Sequence, residues 1–122
     1  MLKQILLIGM GGGVGSIFRF LASHFAIKYE APIYLSTLIV NISGCLLIGF
    51  LTGLALKQSW LDMNLRLFLM TGFCGGFTTF SAFSLENIQM WQNGHYITLT
   101  LYTLTSVVVG FAAAGIGLLL AK

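Results

Sequence analysis

Gly72-Phe73-Cys74-Gly75-Gly76-Phe77-Thr78-Thr79-Phe80-Ser81-Ala82-Phe83-Ser84 lies at the centre of an apolar run spanning residues 65–91. The run is longer than the ~20 residues that cross a hydrocarbon core. Its centre is nevertheless poor helix material. The paired glycines carry a large backbone entropy cost. The threonines lose rotamer freedom, and the serines compete for backbone hydrogen bonds. A break is therefore expected near residues 75–79. Backbone groups freed at membrane depth must be satisfied by protein, water or an ion, and such breaks often mark ion or substrate sites.

Three more apolar runs flank this one, at residues 5–25, at 33–56 directly after Pro32, and at 97–121. Of the 122 residues, 57% are hydrophobic and 7% charged, against about 25% charged in a soluble domain. Three acids and six bases cannot build a polar surface, and the mean hydropathy is +0.95. The expected fold is all-α, a single four-helix transmembrane domain over residues 1–122 with its third helix broken. The first run is too long for a signal peptide and is followed by others, so it reads as a retained span.

The bases stand singly at Lys3, Arg19, Lys28, Lys57, Arg66 and Lys122, mostly at the ends of the runs. That pattern suits headgroup contact and gives no basic stripe for nucleic acid. Four spans place both termini on one side. Lys3, Lys57, Arg66 and Lys122 then oppose Lys28 and Arg19, a modest bias toward cytoplasmic termini. Cys45 and Cys74 lie within apolar runs without CxxC spacing and read as small buried hydrophobes. His24 and His95 fall near span ends, and no catalytic constellation is present, so no enzyme is expected.

Gly9-Met10-Gly11-Gly12-Gly13-Val14-Gly15 follows an apolar stretch like a dinucleotide loop, but no register gives G-x-G-x-x-G/A. It reads as a glycine face for close helix packing. Arg19 follows as an interfacial anchor or a pore-mouth residue. Thr37 and Asn41 are four apart and share a helix face. An asparagine amide in such a run must be partnered by another helix or by water. Phe80 and Phe83 are three apart, and Glu86, the one acid well inside a span, continues their face. Thr98, Tyr102 and Ser106 form a polar stripe ending at Gly110, either a packing seam or one wall of a wet path.

Gly11-Gly12-Gly13-Val14-Gly15 leading to Arg19-Phe20, Thr37-Leu38-Ile39-Val40-Asn41, and above all residues 72–83 resemble the signatures of the Fluc (CrcB) fluoride channel family. The resemblance covers essentially the whole chain, and the third-span motif is its most specific part. It implies a multi-pass protein of the cell membrane, built as an antiparallel (dual-topology) homodimer of four-helix subunits with two fluoride pores. It further implies a structural sodium ion at the dimer interface, held by backbone carbonyls that by motif position belong to Gly75 and Thr78. The pore-facing phenylalanines match Phe80 and Phe83, the vestibule asparagine matches Asn41 with Thr37 on the same face, and the pore-lining tyrosine matches Tyr102. Ala82 stands where threonine is frequent in the family and Gly110 where serine is common, so the number of pore donors is open.

The resulting expectation is a passive fluoride channel exporting the ion from the cytoplasm. Asn41, Ser81, Tyr102 and Ser106 are expected to replace part of the ion's hydration. Ring edges of Phe80 and Phe83, which carry partial positive charge, face it from the other side. An ionised carboxylate beside an anion path repels the anion, so Glu86 is expected to be protonated or turned away. Two other classes fit four short spans: a proton-coupled small multidrug exporter, for which Glu86 is the sole candidate acid, and a non-transporting subunit of a larger membrane complex.

Overall fold

The computed structural model describes residues 1–122. Four helical spans run up and down: α1 (Leu2–Lys28), α2 (Ile33–Lys57), a third span Met63–Gln92, and α5 (Tyr96–Leu120). The third span is interrupted at Thr78–Phe80, inside the expected interval, and so consists of α3 (residues 63–77) and α4 (Ser81–Gln92). The outer boundaries extend the apolar runs of α1 by about one turn at each end and shift those of α2 and α5 by one residue, because helices continue into polar flanks until a turn residue stops them. Pro32, with φ fixed at −60°, precedes α2. Gly94, at φ +76°, turns the chain before α5. The Asp62 carboxylate accepts from the Leu65 amide at 3.0 Å and so caps α3.

One feature of α3 has no counterpart in the sequence reading. Leu67–Cys74 forms a run of π-helix, wider than an α-helix by about one residue per turn. This stretch packs along α1, and the seam is made of glycines. A Cβ at Gly11 would collide with the Phe68 carbonyl, one at Gly15 with the Phe73 carbonyl, and one at Gly76 with the Gly12 carbonyl. The glycine-rich stretch of α1 is thus a packing face, and it brings α1 backbone against α3 up to the break. On the other side of the bundle, α2 packs along α5, again through glycines at 49 and 117.

The interior is thin. Only 17 of 122 residues are buried, and several of these are glycines and alanines within the two seams. Large apolar side chains such as Ile5, Phe20, Val108 and Phe111 point outward. In water that would be an unstable surface; for four apolar helices it is the surface offered to lipid. The helix least engaged with the rest is α4, which buries only Met90 and makes limited contact with α2 and α5. It carries Phe83 and Glu86, and Phe80 stands at its N-cap.

Candidate functional site

The site is organised by the break. Thr78 is extended, and the chain re-enters a helix at Ser81. From α2, the Asn41 side chain clamps the gap. Its Nδ2 donates to the Thr79 carbonyl at 2.9 Å, and its Oδ1 accepts from the Thr79 amide at 2.8 Å. Both backbone groups that a continuous helix would have satisfied are thereby paired, which answers the expectation that this amide needs a partner. Thr79 then caps the next helix: its Oγ1 accepts from the Ala82 amide at 3.2 Å and lies 3.2 Å from Ser81 Oγ. Sequence reasoning did not single out Thr79, although a threonine just ahead of a renewed helix is a capping signal.

The carbonyls at the end of α3 are treated unequally. Cys74 O accepts from the Thr78 amide at 3.0 Å and from Thr78 Oγ1 at 2.8 Å. Gly76 O accepts from Arg19 Nε at 3.1 Å. The amides that would reach Gly75 O are those of Thr78 and Thr79, and both are committed elsewhere. The Thr78 carbonyl also accepts no hydrogen bond. Gly75 and Thr78 both border a groove of about 610 Å³ between α2, the third span and α5. No cluster of three or more His, Cys, Asp or Glu side chains exists. An oxygen-seeking cation would therefore find its ligands in these two open carbonyls. A hard cation such as sodium fits that donor type, although one chain supplies fewer oxygens than such an ion collects.

The same groove is lined by Asn41, Thr79, Phe80, Phe83 and Ser106. The Phe80 and Phe83 rings are 5.8 Å apart and tilted by 42°. Phe83 in turn meets the edge or face of Tyr102 at 5.1 Å and 62°. Ser106 Oγ is buried and has no hydrogen-bond partner. A buried hydroxyl left unpaired is costly, so an unmet donor beside two aromatic rings marks a place for an acceptor.

Three expected groove residues sit elsewhere. The Tyr102 hydroxyl donates to Glu86 Oε1 at 2.6 Å, and Thr37 Oγ1 donates to Glu86 Oε2 at 2.7 Å. Both hydroxyls are spent on the carboxylate, so neither is a free anion donor in this arrangement. Glu86 is turned toward them, does not line the open groove, and is held by two hydrogen bonds. Ser81 lies exposed with its hydroxyl against Thr79 and does not line the groove. Arg19 reaches the last turn of α3, just ahead of the break.

Two further polar contacts escaped the sequence reading. Asn87 accepts from Thr103 Oγ1 at 3.0 Å and donates to the Phe83 carbonyl at 2.9 Å, tying α4 to α5. Ser23 and the buried Ser36 lie 3.2 Å apart between α1 and α2. The rule that flagged Asn41 applies equally to Asn87, which was passed over because it lies beyond the phenylalanine stretch.

Comparison with known proteins gives the family. The profile of the family described as CrcB-like protein, Camphor Resistance (CrcB), matches residues 6–118. A protein of Azobacteroides pseudotrichonymphae named "Fluoride-specific ion channel FluC" is 50% identical over 100% of this chain and 98% of its own length. Proteins of the same name from Flavobacterium psychrophilum and Chlorobium chlorochromatii are 44% and 41% identical, over 99% and 98% of this chain and 98% and 92% of theirs. These relatives are named as channels, a non-enzymatic class. With four membrane-length helices, a third span broken at its glycine–threonine motif, and relatives aligned from end to end, the chain belongs to the CrcB family.

Proposed function

We propose that this protein is a passive fluoride-selective channel of the cell membrane that lets fluoride leave the cytoplasm. It works as an antiparallel homodimer with two pores and a structural sodium ion between the subunits. The observation that carries this reading is the buried, unpartnered Ser106 hydroxyl in one groove with the Phe80–Phe83 ring pair. The relatives' printed name supports the choice of anion.

Fluoride is small and strongly hydrated, so a path through the bilayer must replace water with donors. Ser106 offers an O–H. The Asn41 amide has a second N–H beyond the one given to Thr79. Ring edges of Phe80 and Phe83 present partial positive charge to an anion held by the hydroxyl side. The Phe83 ring is held against Tyr102, whose own hydroxyl fixes Glu86. The carboxylate is thus kept occupied by two donors, which limits its repulsion of a passing anion. A narrow path of this kind disfavours larger halides through size and mismatched donors.

The open carbonyls support a second copy. Gly75 is exposed on the isolated chain, and a bare carbonyl cannot face hydrocarbon. A partner subunit laid across the groove removes it from lipid and doubles the set to two Gly75 and two Thr78 oxygens. A sodium ion bound there would neutralise the carbonyl dipoles left by the break.

The test is fluoride-electrode efflux from proteoliposomes, with chloride as comparison and with sodium present or replaced. Phe80→Ile is expected to cut fluoride efflux at least about tenfold, in line with the loss of an electrostatic contact worth over ~1.4 kcal/mol, while assembly on size exclusion stays intact. Undiminished efflux would reject the role given to the ring. Equal fluoride and chloride rates in the unmodified protein would reject the channel reading itself.

A further inference from the structure

Arg19 is unexplained by the groove. It lies on α1, half-buried, on the far side of the third span from Ser106 and Phe83, and its protein partner is the Gly76 carbonyl. A guanidinium within a membrane-length apolar helix is costly and normally snorkels to the surface or finds a partner. Here it is bound to backbone at the last turn of α3, where the helix dipole concentrates negative charge. Ser16, one turn earlier on α1, directs its hydroxyl at the same carbonyl from 3.5 Å. The glycine seam makes this reach possible: at Gly76 the third span lies against the Gly12 backbone, and a Cβ at Gly76 would collide with the Gly12 carbonyl and push α1 away.

We propose that Arg19 is a positioning residue that caps the broken end of α3 and thereby decides which carbonyls stay open. Gly76 O is taken by the guanidinium, Cys74 O is taken locally by Thr78, and the carbonyls of Gly75 and Thr78, two residues that border the groove, are left without a donor. Together with Asn41, which holds Thr79 from α2, Arg19 braces the gap from opposite sides. Without the guanidinium, Gly76 O keeps only the long 3.5 Å contact from the Ser16 hydroxyl, and the last turn of α3 must recruit a downstream amide or water. Either change disturbs the turn from extended Thr78 to helical Phe80 and misplaces the Phe80 ring. The cationic charge also offsets the partial negative charge of the helix end beside a path for anions. The functional part of this inference rests on the fluoride reading; the cap itself does not.

The experiment uses the full chain in nanodiscs and compares Arg19→Gln with Lys28→Gln, an exposed base in the last turn of α1. Amide hydrogen exchange is read at residues 78–80 and fluoride efflux is read in parallel. Arg19→Gln is expected to speed exchange at 78–80 roughly tenfold or more, the loss associated with a hydrogen bond to a charged group, and to lower efflux. Lys28→Gln is expected to do neither. Should Arg19→Gln fail to assemble, Arg19→Lys retains the charge without the planar donor set, and the same amides are expected to exchange faster. Unchanged exchange at 78–80 overturns the proposal, whether or not efflux falls. Faster exchange with full efflux upholds the cap and counts against the transport role assigned to the break.

Discussion

Asn41 and Thr79 are joined by two opposed hydrogen bonds, amide nitrogen to carbonyl at 2.9 Å and backbone amide to side-chain oxygen at 2.8 Å. One α2 side chain therefore replaces, for one residue, the helix ladder that the break removes. The geometry requires a donor and an acceptor on one planar group, which among side chains of this length only asparagine provides. Asn41→Asp keeps the acceptor but sets an oxygen against the Thr79 carbonyl. Asn41→Ala removes both. Each unpaired backbone group costs about 1–3 kcal/mol, so Asn41→Ala is expected to lower the unfolding midpoint in detergent by several degrees and to reduce efflux sharply. A midpoint equal to that of the unmodified protein would show that the clamp contributes nothing.

Ser106 predicts the opposite pairing of effects. Its hydroxyl is buried and unpaired, so Ser106→Ala removes an unsatisfied group at a cost of little packing volume. Stability is expected to hold or rise by up to about 1 kcal/mol, while fluoride efflux falls. A thermal melt beside an efflux assay separates this outcome from ordinary damage, in which both quantities decline together. A fall in stability without loss of flux would remove Ser106 from the path.

Tyr102→Phe addresses the carboxylate. The ring that packs on Phe83 and Tyr34 is kept, and only the 2.6 Å bond to Glu86 is lost. A hydrogen bond between side chains contributes about 0.5–1.5 kcal/mol net. Thr37→Val removes the other donor. With both donors gone the carboxylate is free to leave its site and approach the groove. The double variant is therefore expected to lose more efflux than the product of the single losses, whereas independent residues would combine multiplicatively. Adding Glu86→Ala to the double variant should restore part of the flux if the freed charge is the obstacle.

Much of this arrangement could be read from residue types. Apolar run length placed four spans, because a bilayer fixes how many residues a helix needs. The glycines and threonines of 72–79 located the break, because their helix propensities are local properties. The glycine face of α1 was legible for the same reason, but its partner surface was not. The π-helical turn of 67–74 depends on how α1 and α3 fit together, and Leu67-Phe68-Leu69-Met70 has nothing unusual in composition. The spacing of Phe80, Phe83 and Glu86 put them on one face, yet whether Glu86 met the anion path or two hydroxyls was settled by residues 49 and 16 positions away in the chain. Arg19 could be given a partner only from the fold, which sets it against Gly76 O 57 positions away, since its position near the end of an apolar run fits an anchor equally well.

The α1–α3 seam yields a prediction about the fold that is separate from conduction. Gly15 faces the Phe73 carbonyl and Phe77 amide so closely that a Cβ has no room, and the atoms it would meet are backbone, which cannot rotate aside. Gly13, two residues earlier, has nothing within 4 Å of the corresponding position. Gly15→Ala must therefore push α1 off the π-helical stretch, at about 1–3 kcal/mol for overpacking. Gly13→Ala should be neutral or slightly stabilising, by up to about 1 kcal/mol from helix propensity. Both place the same methyl group on the same helix, so hydrophobicity and expression effects are matched. Thermal unfolding in one detergent is expected to separate the two by several degrees, with Gly15→Ala the lower. Because α1 also carries Arg19 to Gly76, the displaced helix should weaken the cap, and the 78–80 amides of Gly15→Ala should exchange faster than those of Gly13→Ala. Equal melting of the two variants would mean that this seam is not a close backbone contact in the folded protein.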